Sequence, residues 1–183
     1  MTILTQNCTD ISALRAYRTL EKQVGVTPER LSHARLRTVE NSIRVAGLFR
    51  QKARAIRGVA KVCDSRKLHR ILREDVETAR LELQQLPKVG PKTADVLLGI
   101  WGKPTISVDT HVDRVSKRLG LAPTKGKYEE VRKSLMSLFD ESDHTFIPLL
   151  FMAHGRRFCK ALSPLCSTCP VREYCPYLVK QTE

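Results

Sequence analysis

Leu86-Pro87-Lys88-Val89-Gly90-Pro91-Lys92 ends one helix and begins another. Proline fits the first position of a helix, because the amide hydrogen it lacks would have no partner there, so Pro91 marks the restart. From that point Ala94, Val96, Leu97, Leu98, Ile100 and Trp101 put apolar groups on nearly every side of the helix. A helix that is apolar all round is expected to be buried, and this one is expected at the centre of the fold. Gly102-Lys103-Pro104 then ends it.

Working outward, the same helical period recurs. Upstream, Thr9 and Asp10 offer caps to a helix with Ile11, Leu14, Tyr17, Leu20 and Val24 at its spacing, and Pro28 interrupts the loop after it. Further helices are expected near Val39–Ala46, stopping at Gly47; over Gln51–Cys63, with Ala53, Ile56, Val59, Ala60 and Cys63 on one face; and near Asp75–Leu86. Downstream, Asp109 and Thr110 cap a short helix with Val112, Val115 and Leu119 inward, closed by Gly120. Two more follow, around Tyr128–Phe139 and Asp143–Phe158. No strand-like alternation persists, so the chain reads as all-α. Its boundary is expected near Pro104, giving a first lobe over 1–104, with the hairpin at about 75–101, and a second over 105–183.

Composition narrows the function. The formal net charge is +13, the pI is about 9.8, and 42% of residues are hydrophobic. A chain this basic favours a polyanion partner, since neutralised phosphates release counterions. No apolar run is long enough to cross a bilayer, and Met1-Thr2-Ile3-Leu4, followed by polar Thr5-Gln6-Asn7, is not a signal peptide. A reducing, cytoplasmic location is therefore expected, where six cysteines are thiols or metal ligands rather than disulfides.

Four of the six form one pattern. Cys159, Cys166, Cys169 and Cys175 follow C-x6-C-x2-C-x5-C in a segment rich in proline and too poor in apolar residues to fold alone. Four thiolates on one metal centre supply the missing constraint. Zinc and a [4Fe–4S] cluster both accept four cysteines, and a single close pair flanked by wider gaps favours the cluster. Cys63 lies on an apolar face as a small core residue, and Cys8 has no partner within reach by sequence.

Helix, Leu-Pro-Lys-Val-Gly, helix has the shape of a helix-hairpin-helix element, whose backbone amides and following helix start can hold a DNA phosphate. Lys92 falls in the first turn of that helix, where the macrodipole disfavours a cation. The same field, with partial burial, favours a neutral and nucleophilic amine, while a phosphate-binding lysine explains the position about equally well. Asp109 reads first as an N-cap. The sharper reading is a carboxylate beside Lys92 across a cleft between the lobes, stabilising positive charge at a sugar carbon or assisting proton transfer. Capping and catalysis are compatible, because the cap fixes the carboxylate.

Together these residues resemble the endonuclease III family of helix-hairpin-helix DNA glycosylases. The matching pieces are Ile3 to Asp10, Gly47-Leu48-Phe49 with Lys52-Ala53, Leu86 to Ala94, Val108-Asp109-Thr110-His111, Arg114-Val115, His154-Gly155-Arg156 and the four cysteines. The resemblance implies a two-lobed helical fold, with the damaged base flipped out of duplex DNA. It implies Lys92 as the Schiff-base lysine, Asp109 as the catalytic aspartate, and Cys159, Cys166, Cys169 and Cys175 as ligands of a [4Fe–4S] cluster. Implied DNA contacts are Gln6, Asn7, Lys88, Val89, Gly90, His111 and Lys160, with Gln6 or Asn7 filling the gap left by the flipped nucleotide. The implied partner is duplex DNA with damaged bases or abasic sites, bound by a monomer associated with the nucleoid.

Three departures accompany the resemblance. Lys88 stands where the family usually has the first hairpin glycine. The chain begins where relatives already have an extra N-terminal helix behind them, and the stretch from Lys92 to Asp109 is about one residue shorter than is common. Bifunctional glycosylase and lyase action on oxidised pyrimidines is the leading expectation. A monofunctional uracil or mismatched-thymine glycosylase, and a non-catalytic DNA-binding module, are the alternatives.

Overall fold

The structure is a computed structural model that describes residues 1–179. Those residues form helices and no strand, as the period requires. In chain order the α-helices are α1 (Thr2–Thr5), α2 (Asp10–Gln23), α3 (Pro28–His33), α4 (Leu36–Ser42), α5 (Phe49–Val62), α6 (Ser65–Arg73), α7 (Val76–Gln84), α8 (Pro91–Ile100), α9 (Thr110–Arg118), α10 (Tyr128–Leu138), α11 (Ile147–Arg157) and α12 (Pro176–Val179). No helix among the described residues is long and apolar enough to cross a membrane.

The chain divides into two compact units, Met1–Ala94 and Asp95–Glu183. The division falls within α8, whereas the sequence alone puts the boundary at the loop beyond it. Unit one closes around Leu4, Ala13, Ala16, Leu20, Val39, Ile43 and Ile56. Unit two closes around Ile106, Val108, Val112, Val115, Val131, Leu135 and Phe151.

Local chemistry explains most of the boundaries. Thr9 caps α2 through its Oγ1, which accepts the Ser12 amide at 3.2 Å. Asp75 does the same for α7, accepting from Glu77 and Thr78. Gly47 and Gly120 take φ of +63° and +75°, the left-handed backbone that glycine adopts without a Cβ clash.

Several expectations need correction. α2 buries Ala13, Ala16 and Leu20, while Ile11 is 66% exposed. Small alanines let the neighbouring segments approach closely, so the buried stripe follows them rather than the larger side chains. Pro28 does not merely interrupt a loop; it is the first residue of α3, capped by Thr27. The expected Val39–Ala46 helix is α4 followed by a separate 3-10 turn over Arg44–Ala46. α8 is not buried all round: Ala94, Asp95 and Leu98 are buried, but Ile100 is 73% exposed, and Trp101 just beyond its end is 47% exposed.

Candidate active site

The hairpin between α7 and α8 is a run of tight turns. The Leu86 amide donates to Leu83 O, the Val89 amide to Leu86 O, and the Ala94 amide to Gly90 O, which leads the chain into α8. Lys88 occupies φ +61° at the tip, a left-handed backbone that costs a side-chain-bearing residue about 1 kcal/mol or more. At Gly90 a Cβ would meet nothing within 4 Å. Neither packing nor a positive φ demands glycine there, so the missing side chain leaves that stretch of backbone open to approach. Lys88 and Gly90 are exposed and Val89 is half-buried.

The hairpin is tied to the N-terminal segment. Gln6 Nε2 donates to Lys88 O at 3.3 Å and to Thr93 Oγ1 at 3.0 Å. Asn7, next along, is exposed at φ +47°. Beneath them Lys52, 3% exposed, donates from Nζ to Leu4 O at 2.9 Å and Ala46 O at 2.7 Å. Burial pushes the Lys52 amine below its usual range. In the sequence Lys52 stands only among the matching residues; its structural work, donating to the carbonyls of two core residues, Leu4 and Ala46, is not legible from spacing.

Lys92 lies in the first turn of α8, as expected, but it is exposed rather than partly buried. α8 buries a single face, and the lysine stands at its open start. The amine therefore reaches solvent from the electropositive end of a helix.

Asp109 caps α9 with one oxygen: Oδ1 accepts the His111 and Val112 amides, each at 2.8 Å. Its other oxygen, Oδ2, lies 3.2 Å from His111 Nδ1. The cap reading is correct, and it leaves the carboxylate half-buried, oriented, and with a histidine beside its second oxygen. α11 packs close over this point. A Cβ at Gly155 would come within 3.1 Å of both His111 and Arg114, so any larger residue would make those side chains give way by a few tenths of an ångström.

Cys159, Cys166, Cys169 and Cys175 all line one cavity, together with His154, Phe158 and Arg118. Four thiolates on one cavity suit either zinc or a [4Fe–4S] cluster, and the C-x6-C-x2-C-x5-C spacing favours the cluster. Arg118, which sequence reasoning missed, clamps the loop. It donates to Lys160 O at 2.7 Å, to Ala161 O at 3.1 Å and to Cys159 Sγ at 3.4 Å, and stacks on the Tyr177 ring at 4.5 Å. Arg114 holds Cys159 O at 2.9 Å. His154 Nε2 lies 3.7 Å from Cys169 Sγ, and burial pushes that imidazole below its usual range. Lys160 is exposed. Cys63 is buried, and burial pushes its thiol up.

Comparison with known proteins identifies the relatives of this chain. Residues 1–141 match the model of the HhH-GPD superfamily base excision DNA repair proteins, and residues 159–175 match the iron–sulfur binding domain of endonuclease III. The endonuclease III of Sulfolobus acidocaldarius is 40% identical over 178 residues, covering 96% of this chain and 79% of that protein. A solved structure of a trapped endonuclease III–DNA covalent intermediate superposes with a TM-score of 0.83 at 35% identity, over 99% of this chain and 83% of that one. A non-covalent endonuclease III–DNA complex gives 0.81 at 34% identity, over 98% and 82%.

Proposed function

This chain belongs to the HhH-GPD superfamily of base excision DNA repair proteins, and from that membership we propose how its residues divide the work. It is a bifunctional DNA N-glycosylase and abasic-site lyase of the endonuclease III type, with a [4Fe–4S] cluster in its C-terminal loop. Cys159, Cys166, Cys169 and Cys175 hold the cluster. When bound, the cluster cross-links a loop that has too little apolar surface to order itself.

Lys92 is the nucleophile. Its neutral amine attacks C1′ of the target nucleotide, a C–N bond forms there, and the bond from C1′ to the base breaks as the base leaves with a proton. The attached amine loses a proton, and its lone pair forms the C=N bond as the C1′–O4′ bond breaks and O4′ takes up a proton, so that ring opening gives the Schiff base. Removal of a C2′ proton then drives β-elimination of the 3′ phosphate. The observation that carries this reading is the exposed amine of Lys92 on the first turn after the hairpin, where a flipped nucleotide can reach it.

Asp109 stabilises positive charge developing at the sugar and assists proton transfer. Its preformed hydrogen bonds support this role, since a carboxylate already oriented needs no reorganisation during the reaction. The hairpin amides around Lys88, Val89 and Gly90 receive a backbone phosphate, and Lys160 adds a second ionic contact. Asn7, exposed beside the hydrogen-bonded Gln6, is the better candidate to fill the gap in the duplex. Oxidised pyrimidines are the proposed substrates, acted on by a monomer in the cytoplasm.

The test is strand scission. Incubated with a duplex carrying one thymine glycol, the protein nicks the damaged strand without heat or alkali, and Lys92→Gln does not. Base release with no nick until alkali is added would instead make it a monofunctional glycosylase.

A further inference from the structure

The segment joining α8 to α9, residues 105–109, has no regular secondary structure, yet Thr105, Ile106 and Val108 are buried. Its backbone is held by side chains rather than by a helical ladder, and the holding is done by a buried polar cluster. Asp95 on α8 is 1% exposed, and Thr105 and Arg132 are each 2%. The Asp95 carboxylate accepts at both oxygens: Oδ1 from the Thr105 hydroxyl at 2.9 Å, Oδ2 from the Tyr128 hydroxyl at 2.7 Å. Arg132 Nε lies 3.4 Å from the same Oδ1, and its Nε and Nη2 donate to Thr105 Oγ1. The Tyr128 oxygen in turn accepts the Val108 amide at 3.3 Å.

Fold stability alone does not account for this arrangement. A buried carboxylate–guanidinium pair costs desolvation that a well-packed apolar pair of the same volume avoids. What the cluster does, and an apolar pair would not, is place an acceptor on the amide of the residue preceding Asp109. The short bond to the Asp95 carboxylate adds negative charge to the Tyr128 oxygen and so strengthens its hold on that amide.

We propose that Asp95 and Tyr128 are positioning residues for Asp109: they pin the Val108 amide, fixing the chain direction from which the Asp109 carboxylate projects into its cap. Arg132 balances the buried charge, and Thr105 orients it. The proposal rests on Asp109 being the reacting carboxylate.

Tyr128→Phe keeps the ring and removes only the hydroxyl. Single-turnover release of thymine glycol is measured at saturating protein, alongside affinity for a duplex bearing a reduced abasic analogue. Both are measured in the parent protein and in the Asp109→Asn background. With Asp109 present, Tyr128→Phe lowers the rate roughly tenfold and changes affinity less than about twofold, since small misplacements are felt mainly in the chemical step. In the Asp109→Asn background the same change lowers the residual rate less than about twofold, because the pathway through Asp109 is already gone. Asp95→Asn, which keeps the shape and an acceptor for the tyrosine, is the second variant, with a smaller loss that also vanishes in the Asp109→Asn background. Equal losses in both backgrounds, or no loss in either, overturn the positioning role. If Asp109→Asn alone leaves the rate intact, the reading of Asp109 fails first, and that result is distinct.

Discussion

Lys88 carries a side chain at φ +61°, a conformation that most residues avoid and glycine takes freely. The hairpin therefore tolerates local strain at its tip. Replacing Lys88 by glycine relieves the clash but loosens the unfolded chain, so its stability stays within about 1 kcal/mol of the parent. A β-branched residue is a worse fit, and Lys88→Val lowers stability by about 1–2 kcal/mol in denaturant unfolding. Equal stabilities for the glycine and valine variants would contradict the conformation. Lys52 makes the opposite case, a charge hidden to satisfy two carbonyls. Lys52→Met leaves Leu4 O and Ala46 O without that donor and lowers stability by about 1–3 kcal/mol. An unchanged unfolding midpoint would show that these carbonyls find other partners.

At the scale of elements, legibility follows the strength of the local signal. α9 is readable because its cap, its apolar period and its closing glycine all agree: Asp109, then Val112 and Val115, then Gly120. α2 is readable as a helix but not in its rotation, since Ala13 and Ala16 carry little hydrophobic weight and still set the buried face. α8 misleads for a related reason. Its apolar run reads as buried on nearly every side, yet Ile100 lies open while Asp95 is buried, because Thr105, Tyr128 and Arg132, outside the helix, satisfy its carboxylate. The cysteine loop is legible from spacing, but its arginine clamp is not, because nothing local pairs Arg118 with Lys160 and Ala161. Arg118→Leu accordingly speeds loss of the cluster's visible absorbance under an iron chelator, while the helical circular dichroism before chelation stays near the parent's. A decay rate equal to the parent's would remove the clamp from the account.

For the whole molecule, a net charge of +13 and the proposed hairpin contact with the DNA backbone predict strongly electrostatic binding to undamaged duplex. The logarithm of the affinity should fall linearly with that of the salt concentration, with a slope corresponding to roughly four or more neutralised phosphates at about 0.9 each. A slope near zero would mean that the charge serves something other than DNA. In the proposed mechanism catalysis, by contrast, is carried by a single amine. Sodium borohydride added during turnover on a thymine glycol duplex reduces the imine and locks protein to DNA, and peptide mapping locates the bond. The account predicts an adduct at Lys92 that Lys92→Gln abolishes; an adduct of undiminished yield in that variant, or one mapped to another lysine, would contradict it.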